Sequence, residues 1–313
     1  MSVATIDSAS TSKRLPPLIS APLNKSWSLA ESFEYCSQLT KSHYENFPVG
    51  SVFIPADIRP DVHSLYAFMR TSDDFSDEDR RDGDEEERMA YLNSWDEMLT
   101  EAVAGQAKHP IFIALADTIA RRKLPVQWLR DLLHAFKMDV TTRRYNSYDD
   151  VLHYCRYSAN PVGRLILTLF GYRDEELYRF SDNICTGLQL ANHWQDVAVD
   201  WKKNRAYLPL EDMKRFGVTE EAITQGDCSD QFKKLLAYEV DRAKTLFREG
   251  HALPSRVSGR LKWELRVTWL GGWRILKKIE AVDYDVFRKR PTVSKLDIPW
   301  MIWNTLFFKL PNE

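Results

Sequence analysis

Two acidic stretches carry the side chains of this sequence that are best suited to chemistry. They contain six residues with hard oxygen donors: Asp73, Asp74, Asp77, Asn192, Asp196 and Asp200. Asp73 and Asp77 are four residues apart, with Asp74 beside them, and Asn192, Asp196 and Asp200 also recur every four residues. On an α-helix this spacing places the donors on one face about one turn apart. Each stretch also continues an apolar stripe along its helix, so we expect this face to point toward the protein interior.

Carboxylates that face a protein interior are costly unless a cation or hydrogen bonds neutralise them. Hard oxygen donors without a Cys or His pattern favour Mg²⁺ over zinc, and protein-bound Mg²⁺ usually keeps positions for water and substrate phosphates. We therefore predict that the two stretches bind Mg²⁺ and, through it, a phosphorylated substrate. In the alternative interpretation, the first stretch is a solvated helix end that runs into the acidic loop at 79–87.

Basic residues close to the acidic stretches are candidates for holding the phosphates. They are Arg70, Arg144, Lys202 and Arg205. Charge-assisted hydrogen bonds from such side chains to phosphate oxygens are strong. The competing interpretation is structural: Arg70 would form an i,i+3 salt bridge, and Arg144 would compensate the charge of a helix C-terminus.

The elements that must position these side chains are predicted to be helices. Apolar periodicity favours an all-α body of ten or more helices around a central cavity, with no strand of useful length. The predicted helix starts carry capping residues or a first-turn proline. They lie near Ser28, Pro60, Glu85, Pro110, Pro125, Asp149, Asp174, Asp230 and Ser255.

One of these helices is interrupted by Asn160-Pro161. Proline breaks helical hydrogen bonds, so the interruption exposes backbone groups where a substrate could lie, although kinks without function are also common. Aromatic residues lining the cavity would hold a hydrocarbon tail and stabilise a carbocation by cation–π contact. Our candidates are Tyr66, Tyr145 and Tyr157, whereas His193 lies off the acidic face and is expected to pack.

Composition narrows the class of protein. The chain has 313 residues, 44% of them hydrophobic, with ten Trp, which suffices for a large core. The net charge of −2 gives no electrostatic case for nucleic-acid binding. Four scattered cysteines favour a reducing cytoplasm over a disulfide framework.

The chain divides into three predicted segments. Residues 1–27 form a disordered Ser/Thr/Pro-rich tail without the apolar core of a signal peptide, and 28–296 form the helical domain. Residues 297–313 form a short apolar segment that packs on the body, which we favour, or touches a membrane surface. No apolar run is long enough to span a bilayer, so membrane contact would be peripheral, at the inner face.

The sequence resembles the trans-head-to-head prenyl synthase family, which includes squalene and phytoene synthases, over roughly residues 31–279. Four motifs carry the resemblance: Arg70-x-x-Asp73-Asp74-x-x-Asp77; a flap with Asp139, Arg144 and Tyr145; Tyr154-Cys155-x-x-x-Ala159-x-x-Val162-Gly163; and Leu188-Gln189-Leu190-x-Asn192-x-x-x-Asp196-x-x-x-Asp200 with Arg205-x-Tyr207-Leu208-Pro209. The resemblance implies a single-domain class I isoprenoid synthase bundle.

Three segments are similar to the bacterial hydroxysqualene synthases of hopanoid pathways: residues 43–49, Ser158-Ala159-Asn160-Pro161 and Asn192-x-Trp194-Gln195-Asp196-Val197. In presqualene- and phytoene-making relatives we would expect Val-Ala-Gly at 158–160 and Arg in place of Gln195. The resemblance therefore implies Mg²⁺-dependent conversion of presqualene diphosphate and water to hydroxysqualene, without NADPH. In that reaction Asn160 would place the attacking water.

Two other functions remain open at this point. One is a condensing synthase that joins two prenyl diphosphates to presqualene diphosphate, squalene or phytoene. The other is a non-catalytic helical scaffold that binds a sister enzyme of the pathway, which the intact acidic residues argue against. Transient contact with a sister enzyme is also compatible with the catalytic interpretation.

Overall fold

The structure is a computed structural model that describes residues 25–42, 54–76 and 85–310. Within these ranges the chain is α-helical and contains no strand, and one isolated bridge joins Arg144 to Ala206. The prediction of an all-α protein with more than ten helices is confirmed. Asp77, most of the N-terminal tail, residues 43–53 and the last three residues lie outside the described ranges.

The helices follow one another along the chain with short connections. They are α1 (Leu29–Ser42), α2 (Arg59–Ser76), α3 (Glu85–Val103), α4 (Pro110–Arg122), α5 (Val126–Thr141), α6 (Tyr148–Ser158), α7 (Asn160–Leu169), α8 (Glu175–Gln195), α9 (Val197–Lys202), α10 (Leu210–Phe216), α11 (Glu220–Gln225), α12 (Asp230–Gly250), α13 (Leu253–Arg256), α14 (Gly259–Ala281) and α15 (Ile298–Phe307), with a 3₁₀ turn at Lys295–Asp297 before the last.

Local sequence signals account for several helix starts. The Ser28 hydroxyl accepts a hydrogen bond from the Glu31 amide at 3.3 Å, and the Glu31 carboxylate accepts one from the Ser28 amide at 2.9 Å. This is the predicted capping box of α1. Pro110 occupies the first position of α4, where its missing N–H costs nothing. A second capping box, Ser147 with Asp150, opens α6.

Two clusters of buried side chains form the core. The N-terminal cluster centres on Phe68, Trp95 and Phe112, which lie within 4.5–6.3 Å of one another by ring centroid. The C-terminal cluster includes Trp194 and Trp269. Helix α7 contributes buried side chains to both clusters, so it joins the two halves of the bundle.

Helix α8 is the central element of the C-terminal half, with α7, α12 and α14 packed around it. Glycine permits the closest approach: a Cβ on Gly272 of α14 would lie 2.4 Å from the Phe247 ring and 2.6 Å from Leu188. The close packing therefore requires glycine at position 272. The preceding residue, Gly271, is under no such constraint. A Cβ on Gly271 would meet nothing within 4 Å.

The observed helix boundaries agree with the predicted break at one site and differ from the prediction at two others. Helix α6 ends at Ser158 and α7 begins at Asn160, as the Asn160-Pro161 pair predicts. The helix carrying the second acidic stretch ends at Gln195, because its last turn tightens: the Asp196 amide is shared between the carbonyls of residues 192 and 193. The predicted helix from Ser255 begins at Gly259, after the separate short α13.

The C-terminal segment packs on the body through one face of α15 and leaves the other face exposed. The packing contacts agree with the interpretation that we favoured for this segment, and membrane contact stays a prediction. Across the described residues, no helix is both long and apolar enough to cross a bilayer. All four cysteines are free thiols.

Candidate active site

The first acidic stretch occupies the C-terminal end of α2. Arg70 donates to the Asp73 carboxylate at 2.9 Å and to the Asp74 carboxylate at 2.7 Å. Asp74 is buried, whereas the Asp73 side chain is 46% exposed. The structure therefore shows Arg70 in its structural role, as an intrahelical ion pair. Its predicted phosphate contact would require the guanidinium to exchange these partners.

The second acidic stretch spans the junction of α8 and α9. Asn192 lies in the last turn of α8, Asp196 at the junction, and Asp200 in α9. The Asp200 amide donates to the Asp196 carbonyl at 2.8 Å, so the helical spacing of the stretch survives the break. Arg290 forms a bidentate ion pair with Asp196, through Nε to Oδ1 and through Nη2 to Oδ2 at 2.9 Å.

Two neighbouring carboxylates dominate the electrostatics of this junction. Burial and the Asp196 carboxylate together raise the pKa of Asp200 to about 7, against the opposing effects of Arg205 and Lys203. Ionisation of this buried carboxylate therefore carries a free-energy cost. A bound cation would remove this cost, since it favours the ionised carboxylate.

Arg205 connects the two acidic stretches. Its amide donates to the Asp200 carbonyl at 2.9 Å, and its guanidinium reaches the Ser76 carbonyl of α2 at 3.4 Å. Arg88 donates to the same Ser76 carbonyl at 3.0 Å. The structure therefore brings together two stretches that are more than one hundred residues apart in sequence, as the acidic spacing led us to expect.

A buried carboxylate lies between these stretches and the flap segment. Asp139 accepts hydrogen bonds from the hydroxyls of Tyr154 at 3.1 Å and Tyr207 at 3.3 Å. Burial raises the pKa of Asp139 to about 6, with the Asp73 carboxylate acting in the same direction and Arg205 in the opposite one. Asp139 is thus within electrostatic reach of both acidic stretches.

The flap residues are placed beside the strand-like segment that follows α9. The Ala206 amide donates to the Arg143 carbonyl at 3.0 Å, and the Leu210 amide donates to the Tyr145 carbonyl at 3.0 Å. The Tyr145 ring stacks on Tyr207 at 5.5 Å, and its buried hydroxyl has no hydrogen-bond partner among the described residues. This hydroxyl remains a candidate for contact with a substrate.

Of the two other predicted phosphate-binding residues, Arg144 is held by neighbouring side chains and Lys202 is exposed. The Arg144 guanidinium donates to Glu220 at 2.6 Å and to the Asn204 carbonyl at 2.8 Å, and it lies 4.5 Å from the Trp201 ring. Its contacts are therefore structural in this conformation. Lys202 is exposed at the end of α9. Phosphate binding by either residue stays a prediction.

An apolar cavity of about 270 Å³ lies between α2 and α7. Tyr66, Met69, Val162 and Ile166 are among its lining residues. Burial raises the pKa of Tyr66, and the charges of Arg70 and of both aspartates at the end of α2 act on it as well. The cavity thus lies next to the first acidic stretch, where a hydrocarbon chain attached to a bound diphosphate would need to enter.

The remaining predicted residues lie around the α6–α7 break. The Asn160 amide oxygen accepts a hydrogen bond from the Thr186 hydroxyl at 2.9 Å, which fixes the side chain against α8. Tyr157 packs edge-on against His134 and His153, both exposed, so its contacts give no support to a cavity role. His193 is buried and stacks on Tyr207 at 3.5 Å, in agreement with the predicted packing role.

Sequence reasoning missed Arg290. This residue follows the last long helix and lies 94 positions from Asp196, so no spacing rule links the two. Its nearest signal is the basic run Arg288-Lys289-Arg290 before a proline, which by itself is typical of a solvated loop.

The donor set fits Mg²⁺ by chemistry and by charge. Carboxylate and amide oxygens are the donors that Mg²⁺ prefers, and burial together with the neighbouring Asp196 carboxylate raises the pKa of Asp200, which a bound cation would offset. Among the described residues, no three acidic, His or Cys side chains converge on one point in this conformation. Arg70 and Arg290 instead neutralise the carboxylates, so cation binding would require these pairs to open.

Comparison with known proteins decides the family. The squalene/phytoene synthase family matches residues 40–297. The chain belongs to this family. Its members are enzymes of isoprenoid biosynthesis that act on prenyl diphosphates, which confirms the family resemblance of the four motifs.

Individual relatives carry different activities. The chain is 35% identical over 242 residues to a hydroxysqualene synthase of Rhodopseudomonas palustris, covering 76% of this chain and 80% of the relative. It is 29% identical over 299 residues to a phytoene synthase of Arthrospira platensis, covering 90% and 94%.

Solved structures agree on the fold. The squalene synthase HpnC from Alicyclobacillus acidocaldarius superposes with a TM-score of 0.78 at 44% identity, over 82% of this chain and 95% of that one. A ligand-bound dehydrosqualene synthase also gives a TM-score of 0.78, over 90% and 97% of the two chains, and at 22% identity it bears on the fold alone. The fold is that of the class I isoprenoid synthases, as predicted.

Proposed function

We propose that this member of the family converts presqualene diphosphate and water to hydroxysqualene and diphosphate in a Mg²⁺-dependent reaction that needs no NADPH. The carbon–oxygen bond to the diphosphate breaks, the cation rearranges, and water adds with loss of one proton. The observation that carries the proposal is that Arg205 joins two acidic stretches beside an apolar cavity.

The six acidic-stretch residues would hold the metal ions: Asp73, Asp74, Asp77, Asn192, Asp196 and Asp200. Bound Mg²⁺ would supply Lewis-acid charge to the leaving diphosphate. In the resting conformation, Arg70 and Arg290 neutralise the two stretches. When substrate and metal bind, these guanidiniums would be released toward diphosphate oxygens, for which Arg has the matching donor geometry.

The chain's own residues would also orient the hydrocarbon and the water. Tyr66 presents an aromatic ring at the cavity wall, where it would stabilise positive charge in the rearranging cation. Asn160 is fixed by Thr186 and lies at the helix break, and it would position the attacking water. The buried Tyr145 ring would contact the substrate from the flap side.

The choice of hydroxysqualene as product is supported by sequence at the junction of α8 and α9. Gln195 precedes Asp196 where condensing relatives are expected to have Arg, and 158–160 read Ser-Ala-Asn. These departures from the pattern expected of condensing relatives argue against a condensing reaction. A hydroxysqualene synthase is among the relatives that match over most of this chain.

The metal assignment is tested by charge-neutral substitutions. We expect Asp73→Asn and Asp196→Asn to lower kcat/KM with presqualene diphosphate by at least about a hundredfold, since each removes a donor to ions that stabilise the leaving group. Asp241→Asn is the matched control, because Asp241 is an exposed mid-helix carboxylate on α12. Equal activity of all three variants would contradict the assignment.

A condensing synthase is the alternative, and the phytoene synthase similarity over 90% of the chain favours it. Turnover of farnesyl diphosphate alone would support this alternative over the main proposal. The non-catalytic scaffold interpretation predicts no turnover of either substrate and no Mg²⁺-dependent thermal stabilisation in the presence of diphosphate. Transient association with a sister enzyme of the pathway at the inner face of the membrane remains compatible with the proposed reaction.

A further inference from the structure

The exposed apolar surface of this protein is concentrated at one place. Of the eleven large hydrophobic residues exposed in the described ranges, eight lie within residues 293–310. On α15 and just after it the exposed positions are Ile298, Ile302, Trp303, Leu306, Phe307 and Leu310. They recur at helical spacing, so they form one continuous face, which we call the outer face of α15. Contiguous apolar surface of this kind marks a binding surface.

The outer face is held in place by the contacts of the opposite side. The Arg266 guanidinium donates to the Thr305 carbonyl at 2.8 Å near the C-terminal end of α15. Phe308 stacks on His251 at 4.5 Å. Before the helix, the buried Asp297 carboxylate accepts hydrogen bonds from Arg274 at 2.8 Å and from Lys278 at 2.5 Å. These contacts hold α15 at both ends. Because they lie on the opposite side of the helix, the outer face stays exposed to solvent.

The exposed charged residues of the segment that carries the outer face are basic. Lys295 precedes the helix, Lys309 follows it, and Lys289 lies farther upstream, all three exposed. Between 288 and 310 the single acidic residue is Asp297, and its carboxylate is buried under two cations. An apolar face with a basic rim matches the interface of an anionic bilayer, where acyl chains lie below negatively charged headgroups.

A groove lies between the C-terminal segment and the second acidic stretch. It has a volume of about 370 Å³ and is lined by Val293 and Met301 at the α15 side and by Asn192 and Gln195 at the other. Its wall is mostly apolar, and the open side of Gly271 contributes to it. A membrane or protein that binds α15 would therefore lie close to the groove that reaches the second acidic stretch.

From these observations we infer that the outer face of α15 docks on the surface of a membrane that contains anionic phospholipids. The helix has ten residues and is about 15 Å long, so it would lie in the plane of the interface. Trp303, Phe307 and their neighbours would enter the headgroup boundary, and the three lysines would contact the lipid phosphates. The inference goes beyond the proposed reaction and does not depend on which substrate is converted.

The test is co-sedimentation of the full-length protein with vesicles of phosphatidylcholine alone and of phosphatidylcholine with phosphatidylglycerol. We expect wild-type protein to sediment with the anionic vesicles, and the double variant Trp303→Gln/Phe307→Gln to bind at least about tenfold more weakly. The matched control is Leu29→Gln/Val103→Gln, which changes two exposed apolar residues elsewhere and should bind like wild type.

A second pair of variants tests the basic rim without touching the apolar face. Lys295→Gln/Lys309→Gln should lower partitioning onto anionic vesicles by about 25-fold, as each basic residue near such a surface contributes about fivefold. The loss should be much smaller on neutral vesicles. Equal binding of this variant and wild type to anionic vesicles would overturn the role of the rim.

The orientation is tested by fluorescence quenching with brominated lipids. Wild-type fluorescence should fall on binding, and Trp303→Phe should remove the quenching while vesicle binding is kept. The inference is overturned if wild-type protein stays in the supernatant with both kinds of vesicle. It is also overturned if the protein is a dimer without lipid and Trp303→Gln/Phe307→Gln makes it a monomer, because a second copy of the chain would then cover the outer face.

Discussion

The raised pKa of Asp200 allows us to predict how the apparent affinity for Mg²⁺ changes with pH. Burial and the adjacent Asp196 raise this pKa to about 7. A metal ion binds the ionised carboxylate, so protons and Mg²⁺ compete for the site. For a group with this pKa, about one side chain in eleven is ionised at pH 6 and about ten in eleven at pH 8. The apparent affinity for Mg²⁺ should therefore be about tenfold lower at pH 6 than at pH 8.

Isothermal titration calorimetry with Mg²⁺ alone at pH 6, 7 and 8 measures this dependence. Two buffers with different ionisation enthalpies at pH 7 would also show release of about half a proton from Asp200 per binding event. Asp200→Asn should bind more weakly and lose the pH dependence, while Asp241→Asn should behave like wild type. An affinity that changes less than twofold between pH 6 and pH 8 would refute the reasoning, because the carboxylate would then not be a ligand.

Two further predictions concern the packing and the product. A methyl group at Gly272 would clash with the Phe247 ring at 2.4 Å, whereas one at Gly271 would meet open space. Both alanines gain similar helix propensity, so in chemical denaturation Gly272→Ala should lie about 1–3 kcal/mol below Gly271→Ala in free energy of unfolding, and equal stabilities would argue against the close packing. Asn160→Ala should lower the alcohol fraction of the product in gas chromatography, and Thr186→Val should do so less, because it removes only the hydroxyl that fixes the amide. An unchanged product ratio in Asn160→Ala would remove this residue from water placement.

Local signals in the sequence predicted where several of the long helices begin. The Ser28–Glu31 capping box and Pro110 act through backbone hydrogen bonds of their own turn, so they can be read without tertiary information. The meeting of α2 with the α8–α9 junction followed from two inward acidic faces, which need a common source of positive charge.

The contacts that the sequence did not predict depend on distant parts of the chain. Arg290 reaches Asp196 across 94 positions, and Arg144 turns away to Glu220 and Trp201. The helix end at Gln195 also escaped prediction, because no glycine or proline marks it. The apolar composition of residues 297–313 led us to expect that the segment packs on the body. It did not indicate that one face of α15 would stay exposed.

The most direct test of the proposed reaction is product analysis with purified protein, Mg²⁺ and presqualene diphosphate in ¹⁸O-labelled water, without NADPH. We expect hydroxysqualene that carries one ¹⁸O atom, since the hydroxyl comes from water that quenches the cation. Absence of a labelled alcohol, together with condensation of farnesyl diphosphate supplied alone, would disprove the proposed reaction and place the enzyme among the condensing members of the family.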